Sequence, residues 1–330
     1  MKPVVSVVIP TRNRADLLTA AVTSLRAQTL DRWEAVVIDD GSDPDCIARE
    51  QELASTDERI VLVNRDGPPG ANRCRNVGAR AARAELVVFF DDDDLFSPAC
   101  LEARVAVMQG SPELHLATFP YVRFRRAPGD LPPVSPHPRR DPIDEYLRIE
   151  PAWHTGGAIW RKGFLDRVGG WDERLSSWQD WEFGLRALAL RPALERHDGP
   201  SFLVRIASED HRNVSGAGWE ARNVRSWALA LGAAFERLRS TGLIDARRAV
   251  ALAWLHLFVA ERLVEVGDTP AAAALWRLAR ERALTTRLED ALGRAVLARA
   301  RRPDARPHLR QLLAYGISFA PLTRALAWLR

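Results

Sequence analysis

Lysine is almost missing. Of the 47 basic residues only Lys2 and Lys162 are lysine, and the remainder are arginine. Such a bias reads as genome composition rather than as a binding task. Cysteine is equally sparse: Cys46, Cys74 and Cys100 are odd in number and show no metal-ligand spacing. That argues against a disulfide framework and a cysteine-held metal, and fits reduced thiols in a cytoplasmic setting. No apolar run approaches the roughly 20 residues of a membrane helix; the longest, Ala249 to Ala260, also carries His256. Arg12 and Arg14 interrupt the first apolar run before a signal h-region is complete. No 34-residue helical repeat recurs, although 246–266 and 270–284 pair like a helical hairpin.

What is present is a chain of 330 residues, 47% hydrophobic and 27% charged, long enough to bury a core without staples. Charge is unevenly placed. Residues 215–330 hold 19 arginines against 10 carboxylates, while residues 1–214 hold 28 basic and 33 acidic side chains. A mildly acidic N-terminal part is thus followed by a basic one, which suits an anionic surface or partner.

The first ninety residues alternate between two periodicities. Val4 to Ile9, Glu34 to Ile38, Ile60 to Val63 and Leu86 to Phe90 are β-branched or apolar throughout, the pattern of strands buried on both faces. Between them Leu17, Leu18, Ala21, Val22 and Leu25 recur at helical spacing, and further helices are expected to about residue 54 and over 75–84. Four such alternations predict a parallel α/β sheet. Ligands sit beyond the carboxyl ends of its strands. Polar clusters at 10–14, 39–42 and 91–94 fall at those ends and should converge on one crevice. Pro128 to Pro142 reads as a loop or flap.

Asp91-Asp92-Asp93-Asp94 is the sharpest signal. Four adjacent aspartates repel one another, and a hard divalent cation, Mg²⁺ or Mn²⁺, would relieve the repulsion. Such an ion commonly shares its coordination between a carboxylate or two and substrate phosphates. Asp39-Asp40-Gly41-Ser42 alone is as well explained by turn chemistry.

Val5 to Arg14, Val36 to Ser42, Ala71 to Gly78 with Arg75-Asn76-Val77-Gly78, and Phe89 to Pro98 together resemble the family 2 glycosyltransferases in order and spacing. So do Gly156-Gly157, Val168 to Glu173 and Trp178 to Glu182. The resemblance covers about residues 4–215. It implies a GT-A fold, a Rossmann-like, mostly parallel sheet flanked by helices, with a nucleotide-binding half (1–100) and an acceptor-binding half (101–215). An all-α region, 216–330, lies outside it. The implied activity is inverting transfer of a sugar from a nucleotide-diphosphate sugar, a UDP-sugar first of all, to a carbohydrate or glycoconjugate hydroxyl in polysaccharide assembly.

The resemblance also assigns roles. Pro10, Thr11 and Arg14 line the nucleotide base, Asp40 contacts it with Asp39 beside it, and Arg75 positions the donor, with a helix-surface arginine as the competing account. Alignment on Pro98 makes Asp93 the metal-binding aspartate of a DXD motif, with Asp91 and Asp92 toward the ribose. Asp180 becomes the catalytic base. The family's Glu-Asp pair reads Gln179-Asp180 here, and Glu182 ranks second. His211 is a further candidate near the metal. Trp153, Trp160, Trp171, Trp178 and Trp181 have two readings: core packing, preferred for any single one, and one or two of them lining the acceptor site, where an aromatic face stacks on sugar C–H groups.

The C-terminal helices are expected to pack on the catalytic domain or form a homodimer. A peripheral contact of Leu309, Leu312, Leu313 and Ile317 with anionic lipid on the inner membrane face is the alternative. Nothing points to nucleic acid. Two rivals stand: a nucleotidyltransferase, against which the lack of a glycine- and lysine-bearing loop after the first strand counts, and a non-catalytic scaffold.

Overall fold

The computed structural model describes residues 2–65, 67–132, 139–199, 201–206, 220–282, 284–285 and 287–300. In chain order the elements are β1 (Val5–Thr11), α1 (Ala15–Arg26), β2 (Trp33–Asp39), α2 (Pro44–Ser55), β3 (Ile60–Asn64), α3 (Ala71–Ala81) and β4 (Leu86–Phe89). There follow β5 (Leu95–Phe96), α4 (Cys100–Gly110), β6 (Leu116–Thr118), β7 (Tyr121–Phe124), α5 (Pro142–Leu147), β8 (Ala158–Arg161), α6 (Lys162–Val168), α7 (Gln179–Leu188), β9 (Leu194–Arg196) and β10 (Phe202–Arg205). Four longer helices close the described chain: α8 (Ala221–Ser240), α9 (Ala246–Glu265), α10 (Thr269–Glu281) and α11 (Arg287–Ala300).

By packing, the chain divides into two compact units. The first is Met1–Pro138, Trp153–Glu173 and Leu190–Gly216; the second is Arg139–Ala152, Arg174–Ala189 and Ala217–Arg330. This differs from a single cut at residue 215, because α5 and α7 pack with the later helices. The Ser226 hydroxyl of α8 accepts from the Ser176 and Ser177 amides at 3.0 and 3.1 Å, ahead of α7. Asp144 of α5 accepts from Arg248 of α9 at 2.9 Å.

The first unit is a seven-stranded sheet in the order β3-β2-β1-β4-β8-β6-β9, with a second sheet β5-β10-β7. β1, β2, β3 and β4 run parallel, and β8 enters antiparallel to β4. Every residue of β1, β2 and β4 is buried, as continuous apolar strands require. Alternate side chains serve opposite faces. Val5, Val7 and Ile9 join Leu18, Val22 and Leu25 of α1, whereas Val36 and Ile38 meet Cys74 of α3. On that second face Gly78 lets α3 approach closely, since a methyl group there would overlap the Val8 side chain.

The second unit among the described residues is helical. Asp245 and Asp268 cap α9 and α10 through the amides of Arg248 and Ala271, and Pro270 opens α10. The helix restart at Gly267 to Pro270 follows the sequence expectation.

Candidate functional site

Strand order reverses between β1 and β4, because β2 and β3 lie on one side of β1 and β4 on the other. In doubly wound sheets the crevice forms at that switch, beyond the carboxyl ends. Pro10 and Thr11 end β1 there, paired in register with Ile38 and Asp39.

The two turns beside them are sewn together. Asp39 is buried, and its carboxylate accepts from the amides of Ser42 at 3.0 Å and Gly41 at 3.3 Å. It therefore holds its own turn, in which Gly41 takes a positive φ of 81°. The Asp40 amide donates to Thr11 O at 2.9 Å. The Asp40 carboxylate accepts from the Gly70 amide at 2.7 Å, at the N-terminus of α3, and pairs with Arg65. Asn13, at φ 53°, donates its amide to Ser42 Oγ at 2.8 Å, and its side-chain oxygen accepts from Asp43 N at 2.7 Å. Residues 10–14 and 39–43 thus form one frame. Arg65 and Asn13 carry no sequence signal of this task beyond being polar near a turn.

Arginines bind the acidic loop into the frame. Arg14 reaches Asp92 at 3.2 Å and Asp93 at 3.4 Å. Arg75 is buried rather than on a helix surface. It donates to Asp91 at 2.8 Å and to Asn72 at 3.3 Å, with its guanidinium 4.7 Å from the Trp171 ring centre. Helix α3 is held to the Trp171 segment as well: the Asn76 side-chain oxygen accepts from the Trp171 amide at 2.7 Å, and its nitrogen donates to Trp171 O at 3.0 Å.

The four aspartates differ. Burial pushes Asp91 upward, but Arg75, His154 and Arg14 outweigh it and hold the carboxyl below the usual range. Asp92 is pushed up to about 7, first by burial and then by Asp93, against the pull of Arg14 and Thr11. Asp94 lies well above the ordinary value, through burial and then repulsion from Asp91 and Asp93. One Asp94 oxygen accepts from the Arg205 amide at 2.9 Å; the other is buried with no hydrogen-bond partner. Asp91, Asp93 and Asp94 each offer a carboxylate oxygen, all within 4.8 Å of one another. Oxygen donors, crowded negative charge and an orphaned buried oxygen fit a hard divalent cation. The grouping takes in Asp94, which the sequence left without a role, and leaves out Asp92.

Glu50 of α2 is a buried carboxyl that sequence reasoning passed over. It bonds to the Ser42 hydroxyl at 3.4 Å, and its other oxygen has no hydrogen-bond partner. Burial and then Asp39 push it up to about 7. A lone glutamate in a surface-patterned helix gives no sign of this.

Asp180 stands in the second unit, in the first turn of α7, partly exposed. Glu182 is buried and bonded to Arg186 at 2.8 and 2.9 Å, so its carboxylate is already engaged. Trp153, Trp160, Trp171 and Trp181 are buried, as core residues should be; Trp178 is only half-buried. His211 and the leucines from Leu309 onward lie outside the described residues.

Comparison with known proteins agrees with this architecture. Residues 6–159 match the family model described as glycosyl transferase family 2. An uncharacterized glycosyltransferase of Bacillus subtilis is 27% identical over 186 residues, 56% of this chain and 67% of that protein. A UDP-Glc:alpha-D-GlcNAc-diphosphoundecaprenol beta-1,3-glucosyltransferase of Escherichia coli is 31% identical over 104 residues, 32% of this chain and 40% of that protein. The chain thus spans two thirds of the first of these relatives and less than half of the second. Among solved structures, S. aureus TarS 1–349 with UDP-GlcNAc superposes with a TM-score of 0.65 at 18% identity, over 91% of this chain and 89% of that one. A mannosyltransferase of Pyrobaculum calidifontis with GDP-Man and Mn²⁺ gives 0.55 at 19%, over 100% and 85%. The likeness to both structures is one of fold.

Proposed function

We propose that the chain, whose residues 6–159 match the glycosyl transferase family 2 model and whose fold is of the GT-A kind, transfers a sugar, with inversion, from a nucleotide-diphosphate sugar to an acceptor hydroxyl. The observation that carries this is the cluster of Asp91, Asp93 and Asp94 at the sheet's switch point, framed by Arg14 and Arg75. A nucleoside fits the frame of Pro10, Thr11, Arg14, Asp39 and Asp40. Both carboxylates are already engaged, Asp39 by its own turn and Asp40 by the Gly70 amide and Arg65, so they shape the frame that a base or ribose would enter. Asp92, pushed up to about 7, suits a hydroxyl contact.

Asp91, Asp93 and Asp94 would hold Mg²⁺ or Mn²⁺, which when bound offsets the charge of the departing diphosphate. The Mn²⁺ in the mannosyltransferase complex and the orphaned Asp94 oxygen support that assignment. Asp180 is the general base. It takes the acceptor hydroxyl proton as that oxygen bonds to the anomeric carbon and the nucleoside diphosphate leaves from the opposite face. The acceptor named for the E. coli relative is a sugar on a diphosphoundecaprenol, and a glycoconjugate of that class is the acceptor proposed here. No helix among the described residues is long and apolar enough to cross a membrane; we assign the basic C-terminal region to a peripheral lipid contact or to a homodimer.

The test is calorimetric titration of a panel of nucleoside diphosphates and nucleotide sugars, with and without Mn²⁺. Wild type should bind one of them in a metal-dependent way, Asp93→Ala should lose that dependence, and Asp180→Asn should bind normally yet fail to transfer. No binding by any member at millimolar concentration would overturn the reading.

A further inference from the structure

Arg104 of α4 is fully buried, and its Nε, Nη1 and Nη2 have no hydrogen-bond partner among the described residues. The guanidinium lies among three rings. Its carbon is 5.4 Å from the centres of Phe119 and Phe202 and 5.6 Å from that of Phe96. All four residues belong to the first unit. Composition bias explains an arginine on the surface of this chain. It does not explain one enclosed by phenylalanines.

The enclosure is locked. Phe96 stacks on Phe90 with centroids 3.8 Å apart and planes at 12°. Phe202 lies where Gly156 has no side chain, and an added methyl group there would overlap its ring. The arginine therefore has no route by which to extend its head into water, the usual solution for a long charged side chain.

Three ring faces within about 6 Å attract the positive charge. They do not supply the acceptors that five N–H groups demand. Bare buried donors are costly, and so is a buried charge without a counter-charge. No carboxylate among the described residues provides one: burial pulls the Arg104 pKa down, and the Cys100 thiol alone opposes it. Burial in turn pushes that thiol up, against the pull of Arg104 and Ser97, so it keeps its proton at neutral pH. A water molecule would satisfy N–H groups and leave the charge unmatched. An anion satisfies both.

We propose that Arg104, with Phe96, Phe119 and Phe202, forms a buried site for a small monovalent anion, chloride in ordinary salt. Phosphate and sulfate are disfavoured, because one guanidinium cannot match two charges and phenyl rings offer nothing in place of the lost hydration. A halide needs only N–H donors and the positive C–H edges that aromatic rings offer. The ion braces α4 against β5 and β10, and β10 also gives the Arg205 amide to Asp94.

The test is thermal melting of the full chain in sodium chloride, sodium sulfate and sodium gluconate at equal ionic strength, for wild type and Arg104→Met. Wild type should gain about 2–4 °C for each tenfold rise in chloride above half-saturation, and nothing comparable in gluconate. Arg104→Met puts an apolar chain of similar length in the enclosure. It should melt at or above wild type in gluconate and should respond to chloride no more than to gluconate. Wild-type crystals soaked in bromide should show an anomalous peak in contact with the Arg104 nitrogens, a measurement that does not depend on the variant folding. Wild type responding alike to chloride and gluconate, or sharing its chloride response with Arg104→Met, assigns the guanidinium to water and overturns the proposal. A bromide map without a peak beside Arg104 overturns it as well. A sulfate response that is lost in Arg104→Met, with no chloride response, overturns the class of anion.

Discussion

Arg75 and Asp91 meet at 2.8 Å, with the guanidinium buried and Asp91 retaining a third of its side-chain surface. The arginine offsets burial at Asp91 and keeps that carboxylate ionised beside two others. Arg75→Ala leaves a largely buried charge without its partner. We expect a loss of about 3 kcal/mol in urea unfolding, at the low end for a broken buried pair because Asp91 is partly solvated. Arg75→Lys should recover less than half, because an ammonium lacks the planar fork that spans Asp91 and Asn72. Full stability in Arg75→Ala would contradict the assignment.

Asp94 supplies the second prediction. Its raised pKa reflects burial and repulsion from Asp91 and Asp93. Asp94→Asn removes repulsion but keeps the oxygen that accepts from Arg205. Without added metal, its melting temperature should equal or exceed that of wild type. With Mn²⁺ the order should reverse, because stabilisation by a bound ion scales with affinity. A wild-type Mn²⁺ shift in the variant would remove Asp94 from the ligand set.

Stability should depend on pH through Glu50. Its folded pKa of about 7 exceeds the ordinary 4.5, so the folded chain holds a proton that the unfolded chain releases. The contribution is complete below about pH 4.5 and is lost as pH rises to about 7. Asp92 acts in the same direction from 3.8. Glu50→Gln should therefore flatten part of the decline in denaturation midpoint across this window, and Asp92→Asn a further part. A Glu50→Gln profile parallel to wild type would show that Glu50 is not the titrating group.

Gly78 sits where a methyl group would overlap Val8 of the central strand. Gly78→Ala should cost about 1–3 kcal/mol, the range for overpacking a filled core. The double variant Gly78→Ala with Val8→Ala should recover part of that loss. Additive losses in a double-mutant cycle would mean that the two sites do not touch.

Much of this was legible in the sequence. Unbroken β-branched runs fixed the parallel strands because burial on both faces leaves no polar alternation to obscure them. The turns at their ends drew notice to the clusters at 39–42 and 91–94 because the carboxyl ends of parallel strands share one edge of the sheet. What stayed hidden depended on partners distant in sequence. Arg75 looks like a surface residue until Asp91 and Trp171 enclose it. Glu50 lies on a helix that reads as polar. The allegiance of α7 could not be read either, because its partners Ser226 and Trp227 lie beyond the stretch that resembles known enzymes.

That allegiance constrains how the chain can be recombined. The helix bearing Asp180 is built into a unit assembled from three separate stretches of sequence. A hybrid joined at residue 215 would pair α7 of one parent with α8 of the other. It would set Ser177 and Trp178 against unfamiliar counterparts of Ser226 and Trp227. An exchange of helical units that keeps its hydrogen bonds must move residues 139–152 and 174–189 together with everything after 216. The proposed catalytic carboxylate then travels with the appendage, and the nucleotide frame stays behind.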